Sequence, residues 1–155
     1  MSISSGGVGF LGKRRIETLI DGIFAISMTL LVLDMRVPQI LTQAALELRV
    51  YDLWPKFLIY VLSFVICAVF WVSHSIQFHY LRGADRTFFW INILFMMFVA
   101  FIPFSTHLLS EHIEQRFAVI FYGCHLIAIR ICLYFHWYYA TSVLRLVDKD
   151  IDVVI

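Results

Sequence analysis

Residues Arg15 to Asp34 read RIETLIDGIFAISMTLLVLD, directly after the basic pair Lys13-Arg14. An aliphatic run of this length fits a helix crossing a bilayer, which needs about 20 residues at about 1.5 Å rise each. Its basic flank resembles that of a secretory signal. However, the run is too long for one, carries Asp21, and lacks a small-residue cleavage site before Arg36-Val37-Pro38. It therefore reads as a permanent helix. Three further apolar stretches follow, so that candidate spans cover roughly 16–35, 56–78, 87–109 and 117–143. The segments between them are short and polar. Over the 155 residues, 61% are hydrophobic and only 15% charged, against about 25% charged in soluble domains. Such a composition excludes a soluble globular protein, a disordered tail and a nucleic-acid-binding arm. The fold class is an all-α membrane protein with four transmembrane helices, a single domain over 1–155 with a charged tail at 144–155. Its first partner is the lipid bilayer.

Four spans put both ends on one side of the membrane. Lys13, Arg14, Arg15, Arg82, Arg86, Arg145 and Lys149 share that side, and Arg36, Arg49, Lys56 and Arg116 lie on the other. This excess predicts that both termini are cytoplasmic in a multi-pass protein of the cell membrane. The loop 39–53 has apolar residues at helical spacing, which predicts a short interfacial helix ending at Trp54-Pro55. The start SGGVGFLGK is no phosphate loop, because no strand precedes it and no Gly-Lys-Ser/Thr ending follows. It reads as a frayed terminus. Cys67, Cys124 and Cys132 all fall inside apolar runs and read as small apolar residues rather than a disulfide framework.

Projected at about 3.6 residues per turn, Leu19, Gly22, Ile26, Thr29, Leu30 and Leu33 share one stripe of the first helix. Phe24, Met28, Leu31 and Met35 take the opposite side, with Asp21 toward it. A carboxylate inside a membrane helix costs about 2.5–3.5 kcal/mol on insertion scales, so it needs a partner. Arg14 and Arg15 stand at neither i+3 nor i+4 from Asp21, so a partner is expected on another helix, the alternative being a helix-end acid near the headgroups. The second span carries Cys67, Trp71, His74 and Phe78 on one face, and the third carries Asn92, Met96, Val99 and Pro103. Asp21, Trp71, His74 and Asn92 are the expected members of an inter-helix hydrogen-bond network, structural by default.

Other polar residues are less specific. His74/His79 and His107/His112 are each five apart, so neither pair shares a helix face as zinc-binding histidines would. His74 and His125 on separate helices are the weak candidates for clamping a haem iron, and no resident cofactor or metal is expected. Arg130, in the middle of the fourth span, is either a functional charge or a snorkelling one. The sequence holds no nucleophile–base pair, no paired catalytic carboxylates and no nucleotide loop, and is not expected to be an enzyme. The carbonyl-filter motif Thr-Val-Gly-Tyr-Gly is also absent.

The run Arg15 to Asp34, with Asp21, resembles the first helix of the prokaryotic branch of the lysosomal potassium channel family, the transmembrane protein 175 family. That family opens with Arg-x-x-x-Phe-Ser-Asp. Phe70-Trp71-Val72-Ser73-His74 is similar to its second-helix Trp-x-x-His element. Phe89-Trp90-Ile91-Asn92 and Ile102-Pro103-Phe104-Ser105-Thr106 are similar to its third helix and Pro-Phe-x-Thr end. Leu19-Ile20 replace the motif's Phe-Ser, so no hydrogen bond of that serine carries over. Prokaryotic members usually have six helices, whereas this sequence carries four, with a charged segment where a fifth would follow. It reads as a truncated, partial or short form.

The resemblance implies a potassium-selective cation channel, a homotetramer with the first helix of each subunit lining the pore. Its pore-lining positions fall on Ile26, Leu30 and Leu33, bordered by Thr29, with potassium ions passing transiently through aliphatic rings. They lie on the stripe that helical projection gives independently. Arg15 and Asp21 are the motif residues that remain. Two other readings stay open. One is a non-conducting membrane assembly protein, in which the stripe is a packing seam. The other is a proton-coupled transporter or redox subunit using Asp21, His74, His125 and Arg130.

Overall fold

A computed structural model describes residues 6–33, 35, 53–81 and 85–143, with side chains from residue 12 to residue 142. Helix α1 is Gly6–Leu33, α2 is Trp54–His79, α3 is Arg86–Ala100, α4 is Ile102–Glu111 and α5 is Arg116–Tyr138, running into a π-turn at Tyr139–Val143. Four stretches are long and apolar enough to cross a bilayer: Gly12–Leu33, Trp54–His79, Arg86–Glu111 and Arg116–Ser142. The chain is thus a multi-pass, all-helical membrane protein, matching the expected spans. The interfacial helix expected over 39–53 lies almost entirely outside the described residues, as does the tail 144–155. The glycine-rich start departs from expectation, because α1 begins at Gly6 rather than fraying up to residue 16.

Helix ends follow local chemistry. Pro55 stands in the first turn of α2, where its missing N–H is no loss. Asp85 caps α3, its Oδ1 accepting the Phe88 N–H at 2.8 Å, while Oδ2 accepts the Tyr139 hydroxyl at 2.9 Å. One carboxylate therefore fastens the start of α3 to the end of the fourth span. The Lys13 ammonium donates to the Leu81 carbonyl just past α2, tying α1 to that end as well. At the opposite end of the bundle Lys56 pairs with Glu111.

The third span is two helices, not one. Pro103 has no N–H for the Val99 carbonyl, and the chain breaks at Phe101. In hydrocarbon the carbonyl it frees needs another donor, and Phe98 O, which accepts the Phe101 N–H at 3.1 Å, takes a second one. The Ser27 hydroxyl of α1 donates to Val99 O at 3.3 Å, and His125 Nε2–H of α5 donates to Phe98 O at 3.0 Å. His125 Nδ1 meets the Ser105 hydroxyl at 2.8 Å. The kink is thus completed by its two neighbours. This broken span is the centre of the bundle: α1 packs against α2, α3 and α4, and α5 covers the other side of α3 and α4.

The core is aromatic and aliphatic, with Phe24, Phe78, Phe88, Phe95, Ile129 and Leu133 nearly inaccessible. Only 28–33% of each span is buried within the chain. The remaining apolar surface has to face lipid or another copy.

Candidate functional site

Helix α1 divides cleanly into faces. Ile16, Ile20, Phe24, Ser27 and Leu31 recur every three or four residues and are all buried against α2, α3 and α4. The stripe turned away from that face is bare: Ile26 is 59%, Leu30 43% and Leu33 67% exposed. Thr29 is also exposed, and its hydroxyl donates to the Ile26 carbonyl of its own helix at 2.8 Å. A hydroxyl held in this way keeps its lone pairs outward. Met35 falls beyond the end of α1.

Asp21 finds its partner on another helix. Trp71 Nε1–H of α2 donates to Asp21 Oδ1 at 2.8 Å, and both side chains are exposed. His74 and Asn92 form a second pair deep in the bundle. Asn92 Nδ2 donates to the Phe88 carbonyl at 2.8 Å, which turns its Oδ1 toward His74 Nε2–H at 3.1 Å. The four polar residues expected in one network therefore fall into two pairs, one at the outside of α1 and α2 and one buried between α2 and α3. Arg15 is exposed on α1 and makes neither pair.

The sequence reading passed over His136. It is fully buried, donates from Nδ1 to Gln77 Oε1 at 2.8 Å, and lies with its ring centroid 5.2 Å from that of His74. Phe78, Phe88 and Phe95 pack around the two imidazoles. Its spacing from the other histidines gave no signal, since the pairing is made across helices. Ser63 and Tyr122 were passed over for the same reason; their hydroxyls meet at 2.9 Å between α2 and α5. His125 completes the Pro103 kink rather than facing His74, and Arg130 is exposed on α5. No group of three metal-ligating side chains occurs among the described residues.

Beside the stripe runs a groove of about 1020 Å³ between α1 and α3. Ile23, Phe89, Ile93 and Met96 line it, Arg14 and Arg15 stand at its N-terminal end, and Leu19, Gly22 and Ile26 form its edge on the stripe side. At Gly12 the helices approach so closely that a Cβ would meet the Phe89 ring at 3.2 Å. At Gly22 a Cβ would meet only open space.

Residues 15–103 match the family model of the endosomal/lysosomal potassium channel TMEM175. A protein named potassium channel from Chamaesiphon minutus is 38% identical over 143 residues, covering 89% of this chain and 70% of its own length. One of the same name from Streptomyces collinus is 32% identical over 142 residues, covering 89% of this chain and 69% of its own. The fold is also similar to a crystal structure described as a lysosomal potassium-selective channel TMEM175 homolog from Chamaesiphon minutus. There the TM-score is 0.77 at 36% identity, covering 86% of this chain and 74% of that one.

Proposed function

The chain belongs to the family of the endosomal/lysosomal potassium channel TMEM175, and from that premise we propose that it is a potassium-selective channel formed by a ring of identical chains. One four-helix chain is too thin to enclose a pore. A cyclic oligomer, a homotetramer by family resemblance, places the same helix face of every copy around one axis. The face that does so is the Ile26, Leu30 and Leu33 stripe of α1, with Thr29 beside it.

The observation that carries this reading is the asymmetry of α1. One face is packed inside the chain, and the other presents a row of large aliphatic side chains that stay largely exposed within it. Rings of such side chains form narrow apolar constrictions. A cation crossing them sheds water without carbonyls to replace it. Potassium holds its hydration shell less tightly than sodium, so the narrow ring favours potassium. Wetting and dewetting of the same rings gates the flow. The Trp71–Asp21 pair and the Ser27–Val99 bond hold α1 at its place in the bundle and so set the pore radius, without touching ions. The basic cluster at Lys13 to Arg15 orients both termini toward the cytoplasm, in a cell-membrane protein.

Leu30→Ala tests this directly. In proteoliposomes the variant widens one ring. It is expected to raise potassium flux severalfold and to narrow the difference between potassium and sodium. Flux and selectivity equal to the parent chain would remove the stripe from the pore.

A further inference from the structure

We propose that the flank of α5 carrying Arg130 is the docking face for a further membrane-spanning helix, one that brings a carboxylate to the depth of Arg130. This goes beyond the channel reading and does not rest on the ring.

Arg130 is too deep to reach water. The bundle marks its own two polar ends. At one, Tyr139 is bonded to Asp85, and Lys13 to the Leu81 carbonyl. At the other, Lys56 pairs with Glu111, and α5 starts at Arg116. Arg130 lies nine positions from Tyr139 and fourteen from Arg116, about 13 and 21 Å at about 1.5 Å per residue. The two ends are thus about 34 Å apart, against about 30 Å for the hydrocarbon of a bilayer. An extended arginine side chain spans about 7 Å. Helical side chains lean toward the N-terminus of their helix, and on α5 that direction leads away from the nearer end. The guanidinium therefore stops short of the headgroups and stays at hydrocarbon depth. An arginine at that depth is costly unless protein or a water-filled cavity receives it.

Its own chain does not match it. The buried polar side chains around this level are paired across helices: His74 with Asn92, His136 with Gln77, Ser63 with Tyr122. Arg130 is exposed, and no described side chain bonds it. The flank around it is shaped for a helix. Gly123, Ile127, Arg130, Tyr134 and Trp137 follow one another at spacings of four, three, four and three, the pattern of a two-helix seam. Ile127 is 60% and Tyr134 63% exposed. A Cβ at Gly123 would meet only open space, which lets a neighbouring backbone come close. Tyr134, one turn beyond Arg130, leans toward it and offers its hydroxyl to the same acceptor.

Charge decides the occupant. A guanidinium takes a carboxylate as a bidentate pair. A lipid phosphate stays with the headgroups, out of its reach. Inside this chain's own spans the carboxylates are Glu17 and Asp21, both on α1, where Trp71 already holds Asp21. The docking helix is therefore one that the described bundle does not contain.

The probe is a synthetic leucine-alanine helix of about 20 residues with one aspartate at its centre, compared with the same peptide carrying leucine there. Energy transfer from the peptide to protein labelled at its N-terminus, in phosphatidylcholine liposomes, reads binding. The aspartate peptide is expected to bind at least tenfold more tightly than the leucine peptide. Arg130→Leu is expected to abolish that preference at unchanged helicity, and Arg130→Lys, which lacks the guanidinium fork, to keep only part of it. Equal binding of the two peptides to the parent protein overturns the proposal. So does a preference that survives Arg130→Leu, which puts the acceptor of the carboxylate elsewhere. If the peptides bind equally and Arg130→Leu instead removes an enrichment of phosphatidylglycerol around the protein, the arginine serves a headgroup. If Arg130→Leu shifts the protein toward monomer in light scattering, its partner is a second copy, and the further helix is again ruled out.

Discussion

His74 and Asn92 show what a polar residue does in this bundle. Asn92 is fully buried, and its amide bonds both its own helix and an imidazole on the next. Asn92→Leu strands the His74 Nε2–H and is expected to cost about 1–3 kcal/mol. Trp71→Phe removes a bond at the exposed edge of the bundle, where both side chains are open to their surroundings, and is expected to cost less, about 0.6 kcal/mol. Unfolding of the detergent-solubilised protein, followed by helicity, ranks the two; the reverse order would deny that burial decides. At this scale the sequence was only half legible. The need of Asp21 for a partner on another helix follows from its depth and from the spacing of its arginines, and Trp71 supplies it. That His74 and Asn92 form a separate pair, and that His136 sits beside them, depends on how helices rotate against each other. One chain's residue spacing does not carry that information.

Helices themselves were legible from length and hydropathy, because backbone polar groups cannot be left open in lipid. All four spans were visible that way. The break in the third was not, although Pro103 was in view. A proline in a membrane helix kinks it only as far as neighbours can satisfy the carbonyls at the break, and those neighbours, Ser27 at Val99 O and His125 at Phe98 O, lie far away in sequence. A double-mutant cycle tests this dependence. Pro103→Ala returns an N–H to Val99 O, so Ser27→Ala is expected to cost about 0.6 kcal/mol or more in the parent chain and close to nothing beside Pro103→Ala. Equal costs in both backgrounds would mean that Ser27 does not complete the kink. Because Ser27 belongs to α1, the kink also positions the helix that carries the stripe.

For the whole molecule, the separation of α1 into a packed face and a bare face is the link from sequence to function. The projection of residues 19–33 drew that stripe before any packing was known, and the bundle leaves it uncovered. What surrounds it lies outside a single chain, which is why the number of copies had to come from resemblance. The measurement closest to the central claim is ion flux from the purified chain in liposomes, potassium against sodium under matched gradients. The account predicts potassium flux well above sodium flux. A well-folded oligomer that passes neither ion, or both equally, would contradict it.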